Sequence, residues 1–415
     1  MKIAMVSEQA SGADTDGIHV AELSAALARH GHEVTVYTRR DDPDLPEQMA
    51  TPRGYTVVYV PAGPPEHLPE DERLAHMGPF ARYLDTRWES DRPDVAHAHY
   101  WTSGIATQLA ARHLGLPAVQ TFHELGVVKK RHRGGIDASP QHRLRLEAAV
   151  ARGAAWVAAT CTEEQLELMR LGRSRARISV VPCGVDEKRF TPDGPMTAKK
   201  AKHRIVAVGK PLPHKGFDDL IRAMPHIPSA ELVIVGGIDA SELDADPEAR
   251  RLRALAAELG VARRVRLPGP VAQQDMPALL RSADIVACTP WYEASGVVAL
   301  EGMACGVPVV ASAVGGMLDT VVHDVTGKLI PPRSPRDIAD AIKPLLRDAF
   351  LRQSLGLAGR DRVCARYTWD RVASDTARIY EKLCPDKPLA PSRDGIRAEK
   401  VRVSACADSV SRQKN

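Results

Sequence analysis

Short runs of continuous apolar residues alternate along this chain with stretches whose apolar residues recur every three or four positions. The runs Lys2–Val6, Glu33–Thr38, Val57–Val60, Asp94–Ala98, Ala118–Phe122, Ala155–Thr160 and Ile178–Val181 predict β-strands. Most lack polar alternation, as parallel strands buried on both faces do. Between them the period lengthens to that of a helix. In His19–Arg29, Val20, Leu23 and Leu27 share one face, and Gly31 is placed to end the helix. This alternation predicts a doubly wound α/β domain.

The pattern then restarts. Residues 191–203 are rich in Pro, Gly, Thr and Lys and carry no periodicity, which predicts a linker. Beyond it, Arg204–Val208, Glu231–Val235, Val265–Leu267, Asp284–Cys288 and Pro308–Ala311 predict a second set of strands separated by helices. Thr368–Cys384 predicts a final helix with Val372, Ile379, Tyr380 and Leu383 on one side and Thr376 as the polar member of that stripe. The expected organisation is two Rossmann-like domains, 1–190 and 204–367. The last helix, 368–384, is considered for packing back on the first domain, and 385–415, polar and without apolar period, is expected to be a disordered tail. Paired domains of this kind bind ligands outside the carboxyl ends of their strands. That places the expected site between them, with closure at the linker.

Composition narrows the classes. The chain has 415 residues, 44% apolar and 26% charged, with 56 basic and 52 acidic residues giving +4. This is an ordinary globular profile, without the dense basic face of a nucleic-acid binder. Seven cysteines include no C-x-x-C pair, which disfavours a zinc site or redox dithiol and fits a reducing cytosol. The opening MKIAMVSEQ lacks the pattern of a signal peptide, and no run reaches the roughly 20 apolar residues of a membrane span. A cytoplasmic protein without stable membrane insertion is expected. Its oligomeric state is open, a homodimer being one state considered.

The chemistry concentrates in the second half. In VACTPWYEASGVVALEGMACGVPVVAS, which runs strand, loop, helix, turn, strand, Glu293 lies in the loop and Glu301 falls eight residues later, inside the helix. The helix is expected to begin near Ser295–Gly296, and its free N–H groups at Gly296 and Val297 form an anion site. A diphosphate docked there leaves Glu301 able to accept hydrogen bonds from ribose hydroxyls and Glu293 able to do so from a sugar. Directly after the first strand of the same half, VGKPLPHKG brackets a turn with Lys210 and Lys215. Two cations at that sheet edge would neutralise a departing diphosphate.

These motifs resemble family 4 of the retaining glycosyltransferases, of the GT-B fold, and the resemblance extends over nearly all of residues 1–384. The E-x7-E pattern at Glu293 and Glu301 and the basic pair Lys210 and Lys215 match the family's donor-site signatures, and Val180–Pro192 looks like its interdomain segment. The resemblance implies that Lys210 and Lys215 hold the diphosphate, Glu301 the ribose and Glu293 the transferred sugar, with Val271 at the base; Ser295, Gly296 and Val297 at the helix start are further donor-binding candidates. Two departures stand out: Lys210 where arginine is commoner, which loses bidentate geometry, and Glu293-Ala294-Ser295-Gly296 where the family has Glu-Pro-Phe-Gly.

In the first half, EQASGADTDG ends at Gly17, which the resemblance places near the donor phosphates, with His19 at an acceptor position and Asp16 in place of a usual glycine. HAHYW, containing Tyr100, and QTFHELG fall at strand ends, and His123 matches a family histidine near the transferred sugar. These motifs are most similar to the inositol-phosphate and sucrose-phosphate branch, which includes mycothiol-pathway enzymes and binds phosphorylated acceptors. Glu124, beside His123, would repel a phosphate and suits an amine. The primary expectation is therefore an aminocyclitol acceptor, as in aminoglycoside assembly. The run Lys129–Arg133 supports the alternative of a phosphorylated or lipid acceptor. The expected donor is a UDP-linked hexose or N-acetylhexosamine, transferred with retention.

No metal or other cofactor is expected, since lysines and amides supply the charge. The D-x-D strings Asp14/Asp16, Asp42/Asp44 and Asp244/Asp246 are each explained by solvated turns. A nicotinamide dehydrogenase is disfavoured because neither SGADTDG nor VGKPLPHKG fits G-x-G-x-x-G. A sugar-nucleotide epimerase, a phosphorylase and a non-catalytic nucleotide-sugar binder remain as rivals.

Overall fold

In the computed structural model of the protein, residues 1–9, 15–133, 142–237 and 245–387 are described. The tail from 388 onward, Asp14 and Asp244 lie outside the described residues.

The first sheet contains β1 (Lys2–Val6), β2 (Glu33–Arg39), β3 (Gln48–Ala50), β4 (Thr56–Val60), β5 (Val95–His99), β6 (Ala118–Thr121), β7 (Trp156–Ala159) and β8 (Ile178–Val180). Its order is β3-β4-β2-β1-β5-β6-β7-β8. The second contains β9 (His203–Val208), β10 (Ala230–Val235), β11 (Val265–Gly269), β12 (Ile285–Cys288), β13 (Val309–Ser312) and β14 (Gly327–Ile330), in the order β11-β10-β9-β12-β13-β14. The recorded pairings are parallel except that of β3 with β4. Two doubly wound, Rossmann-like sheets are therefore present. The strands β3 and β14 were not expected. β3 is fully exposed, and β14 is a short run, Gly-Lys-Leu-Ile, only half buried.

Burial follows the strand period. In β9, Ile205 and Ala207 pack on one face with Leu220, Ile221 and Leu345. Val206 packs on the other with Leu300 and Met303. Alternate side chains of one strand thus feed two cores, one per helical layer. The final helix, Trp369–Leu383, buries Val372, Thr376, Ile379 and Tyr380, so the polar Thr376 belongs to the buried stripe.

By its contacts the chain forms two compact units: Met1–Phe122 with Arg145–Ala158 and the residues from Ala373 on, and His123–Leu144 with Ala159–Val372. This division differs from the expected 190/204 boundary. His123–Leu144 joins the second unit because its helix Gly126–Arg133 is tied there by Arg131 and His132, described below. Tyr380, in the first unit, donates or accepts a 2.7 Å hydrogen bond with His97 Nδ1.

The expected linker is held on the second unit. Arg204, buried at the start of β9, bonds Glu231 Oε1 at 2.8 Å, Ser282 Oγ at 2.6 Å and the carbonyl of Thr197 at 3.2 Å. Arg281 donates to the carbonyls of Pro195 and Thr191 at 2.9 and 3.1 Å. A segment poor in apolar side chains is fixed by two guanidinium forks gripping its carbonyls.

Removing one partner of a buried ion pair leaves the other charge uncompensated. Arg204→Ala is expected to lower stability by about 3–5 kcal/mol in urea unfolding and to open residues 191–200 to protease. An unchanged midpoint with unchanged cleavage would show that Arg204 does not hold this segment.

Candidate functional site

In the second sheet β9 is flanked by β10 and β12, so the chain reverses direction of winding between β9 and β12. The loops leaving the carboxyl ends of these two neighbours diverge and form a natural ligand crevice. VGKPLPHKG follows β9 and CTPWYEASG follows β12, so the topology brings the two expected donor motifs side by side.

The loops are stitched together. Trp291 N–H donates to the carbonyl of His214 at 2.8 Å, and Thr289 Oγ1 donates to the carbonyl of Gly216 at 3.0 Å. Gly216 has φ 68°, and a Cβ there would sit 1.9 Å from the Thr289 carbonyl oxygen, so only glycine fits. Across this seam Lys215 Nζ lies 2.8 Å from Glu293 Oε2, and Ser295 Oγ donates to Glu293 Oε1 at 3.1 Å. Burial pushes the Glu293 carboxyl up, but the Lys215 charge and the bonds from Lys215 and Ser295 outweigh it and hold the group below its usual range. A third loop closes behind. Gly316 N–H donates to the Glu293 carbonyl at 2.8 Å, and a Cβ on Gly315 (φ 50°) would come within 2.0 Å of that oxygen.

The helix Val297–Ala304 starts at Gly296, whose φ of 64° turns the chain and whose lack of a side chain leaves the first N–H groups without a side-chain cap. These are the donors an anion would use. Glu301 is the fifth residue of this helix. Its desolvation raises the carboxyl to about 7, opposed only weakly by Arg189. Two glutamates eight residues apart are thus driven in opposite directions.

The remaining expected residues divide between the units. Lys210 is exposed just after β9, and Val271 is half-buried after β11, packing against the core at its edge. His123, Glu124 and Lys129 lie in the second unit: His123 and Lys129 are buried, and Glu124 is half-buried. In the first unit, Gly17 and His19 are buried on the helix Thr15–Arg29. The His19 ring is 5.5 Å from that of His99, which stacks on His97 at 4.4 Å. Burial, reinforced by His19, lowers His97 to about 3, so it is neutral at pH 7. Tyr100 (φ 75°) and His123 (φ 64°), at the ends of β5 and β6, are two of four described non-glycine residues with left-handed backbone. Such strain is held only where the surroundings over-determine it.

Sequence reasoning missed several residues around this edge. Arg143 is buried and donates to the Glu124 carbonyl at 2.8 Å. Tyr292 is buried against His132, and Arg333 lies over the Trp291 ring at 3.9 Å. Their positions depend on contacts between distant segments, so nothing local in the sequence announces them. As for metals, Asp246 caps the helix Pro247–Glu258 through Ala249 N–H, and Asp42 accepts from Asp44 N–H within its own turn. Among the described residues, Asp85, Glu89 and His113 alone could converge on an ion. They are mainly exposed, and His113 is near the far end of its helix, about 18 Å along from the strand end where that helix starts.

Residues 194–362 match the family described as Glycosyl transferases group 1, and residues 17–189 match Glycosyltransferase Family 4. A D-inositol 3-phosphate glycosyltransferase of Xylanimonas cellulosilytica is 35% identical over 93% of this chain and 98% of that protein. One of Stackebrandtia nassauensis is 33% identical over 94% of each chain. Among solved structures, sucrose-phosphate synthase from Thermosynechococcus elongatus superposes with TM-score 0.83 at 29% identity, covering 93% of this chain and 100% of that one. HepE of Anabaena, solved with UDP and glucose, gives 0.71 at 20% identity over 91% and 98%, a likeness of fold. The inositol phosphate relatives favour the phosphorylated-acceptor alternative over the aminocyclitol expectation. No described helix is long and apolar enough to cross a membrane.

The Glu301 carboxyl gives a pH test. Its folded value, about 7, lies above the unfolded value near 4.5. The folded protein therefore binds this proton more tightly, and stability falls as pH rises through that window, with the full penalty present above about 7. Glu301→Gln removes the penalty. Thermal melts are expected to show a gain over wild type near pH 8 that shrinks toward pH 5. A gain of equal size at both pH values would mean that Glu301 is not a strained carboxylate.

Proposed function

The chain belongs to glycosyltransferase family 4, and we propose that it transfers a hexose or N-acetylhexosamine from a nucleoside diphosphate, UDP by first choice, to a hydroxyl of a phosphorylated cyclitol, with retention at the anomeric carbon. The observation that carries the reading is the Lys215–Glu293 pair at the head of the helix Val297–Ala304. It gathers a cation, uncapped backbone donors and an ionised carboxylate at one strand-end crevice.

In this reading the diphosphate lies against the first N–H groups of that helix, with Lys215 and Lys210 as its cations. As the bond from the anomeric carbon to the phosphate oxygen breaks, charge builds on the phosphate. Preorganised donors stabilise it there without reorganisation. Glu293, kept ionised by Lys215, accepts hydrogen bonds from the sugar hydroxyls, and Glu301 accepts from the ribose. The acceptor hydroxyl attacks from the face the phosphate leaves and passes its proton to that phosphate, so no separate protein base is required. His123 is assigned to a hydroxyl of the transferred sugar. Val271 is assigned to the base, and Gly17, Ser295, Gly296 and Val297 to the donor. His19, Tyr100, Glu124 and Lys129 are assigned to the acceptor. The positive charge is supplied by protein groups, so turnover is expected to persist in EDTA.

The activity of the inositol 3-phosphate relatives supports a cyclitol phosphate, as does Lys129, a buried cation on the helix Gly126–Arg133. A second reading, an aminocyclitol, is favoured by Glu124, a carboxylate in the turn directly after His123. A product screen pairing UDP-sugars with inositol 3-phosphate and with 2-deoxystreptamine separates them. Preference for the phosphate is the expected result, and preference for the amine would replace it with the second reading.

Lys215→Ala is expected to lower kcat by roughly 10²–10³-fold, the scale of losing one preorganised donor to a developing oxyanion. Turnover at the wild-type rate would remove Lys215 from the reaction.

A further inference from the structure

The helix Gly126–Arg133 begins three residues after His123 and is fastened at its other end by two side chains. Arg131 grips Glu167 with two bonds, Nη1 to Oε1 at 2.8 Å and Nη2 to Oε2 at 3.2 Å. Glu167 is buried on the helix Thr162–Arg170, and the Arg131 bond is the main reason its carboxyl falls below the usual range. The next residue, His132, lays its ring on Tyr292, with centroids 5.2 Å apart and planes at 18°. Burial holds the His132 imidazole below its ordinary value, which favours the neutral ring suited to stacking.

Tyr292 immediately precedes Glu293. Its ring also meets the glycine loop behind: a Cβ on Gly315 would lie 3.2 Å from it. Gly315 N–H in turn donates to Glu163 Oε2 at 2.6 Å, from the first turn of the same helix that carries Glu167. One helix therefore holds Arg131 through Glu167 and the glycine loop through Glu163, while the Tyr292 ring fits between His132 and that loop. The helical segment from Gly126 to His132 spans about 9 Å at 1.5 Å per residue. A displacement at His132 is thus transmitted to the turn at His123 and Glu124.

We propose that His132 and Tyr292 are positioning residues: their stacked rings fix the His123–Glu124 turn in register with the Glu293 carboxylate, and so align the attacking hydroxyl with the donor sugar. The inference rests on the assignment of Glu293 to the donor sugar. In this role the rings act through the turn, not on the substrate. Their effect is on geometry, to which such reactions respond steeply.

Loosening the stack lets water take the acceptor's place. The same anomeric bond breaks, water supplies the oxygen and its proton passes to the phosphate, giving free sugar and nucleoside diphosphate. His132 is only half-buried, so His132→Ala is the variant to test, beside His132→Phe, which keeps a ring. With UDP-sugar and a working acceptor, His132→Ala is expected to lose roughly 10–100-fold in kcat. Its donor KM should stay within about twofold of wild type, and free sugar should form a larger share of product. His132→Phe is expected to restore the transfer share. A purely structural role would lower the active fraction and leave that share unmoved. A wild-type kcat and product ratio in His132→Ala overturns the inference, as does a His132→Phe variant as defective as His132→Ala. Glu293→Gln separates the levels. Wild-type turnover in Glu293→Gln removes the donor assignment and the inference with it. A dead Glu293→Gln beside an unaffected His132→Ala removes the inference alone.

Discussion

The ion pair between Lys215 and Glu293 is the contact on which this site depends. It joins two loops that leave neighbouring strands where the sheet order reverses, and it does so in a partly desolvated place. Charges held there cost desolvation free energy, so a pair of this kind is weak evidence for stability. It persists because the backbone leaves little alternative. The His214 carbonyl, the Gly216 carbonyl and the glycines at 216 and 315 fix both loops before either side chain is placed. What the pair contributes is charge state and aim: a carboxylate that stays ionised and an ammonium that cannot wander.

The same short motif carries a second glutamate in the opposite condition. Glu293 is drawn down by a cation in contact, and Glu301 is pushed up by burial, with the charge of Arg189 in opposition. Opposed environments of this kind mark groups with different tasks. An ionised carboxylate suits a sugar whose hydroxyls must be held through the reaction. A carboxyl near its midpoint gains most from two hydroxyls arriving together, because they supply the solvation that the fold withholds. The helix start between them differs from both, since its amides are neutral donors fixed by the fold and independent of pH.

Much of this was legible in the sequence, for identifiable reasons. Continuous apolar runs located the buried parallel strands because such strands have no wet face. Two motifs at the ends of expected strands located Lys215 and Glu293, since strand ends on one sheet edge converge whatever lies between them. Glu163, Arg143, His132 and Tyr292 escaped because their meaning is set by partners far along the chain. The strand β14 escaped because Gly-Lys-Leu-Ile has too little apolar length to stand out. Residues 191–203 looked loose because composition shows what a segment lacks. It does not show that Arg204, a cation inside a predicted strand, turns inward and binds that segment's carbonyls.

Tyr100 and His123 share a backbone feature that the sequence does not display. Both lie just past the end of a parallel strand, both have positive φ, and both are non-glycine residues for which that conformation costs of order 1–3 kcal/mol. A single strained residue could be an accident of packing. Two at adjacent strand ends, β5 and β6, argue for a common cause. The chain turns sharply as it leaves these strand ends, and a relaxed conformation would carry it on past the sheet edge. The cost is met by the buried strands, which hold the chain rigidly up to the turn. Stability stored in the sheet is thereby converted into fixed geometry at its edge, where a reaction governed by alignment has the most use for it.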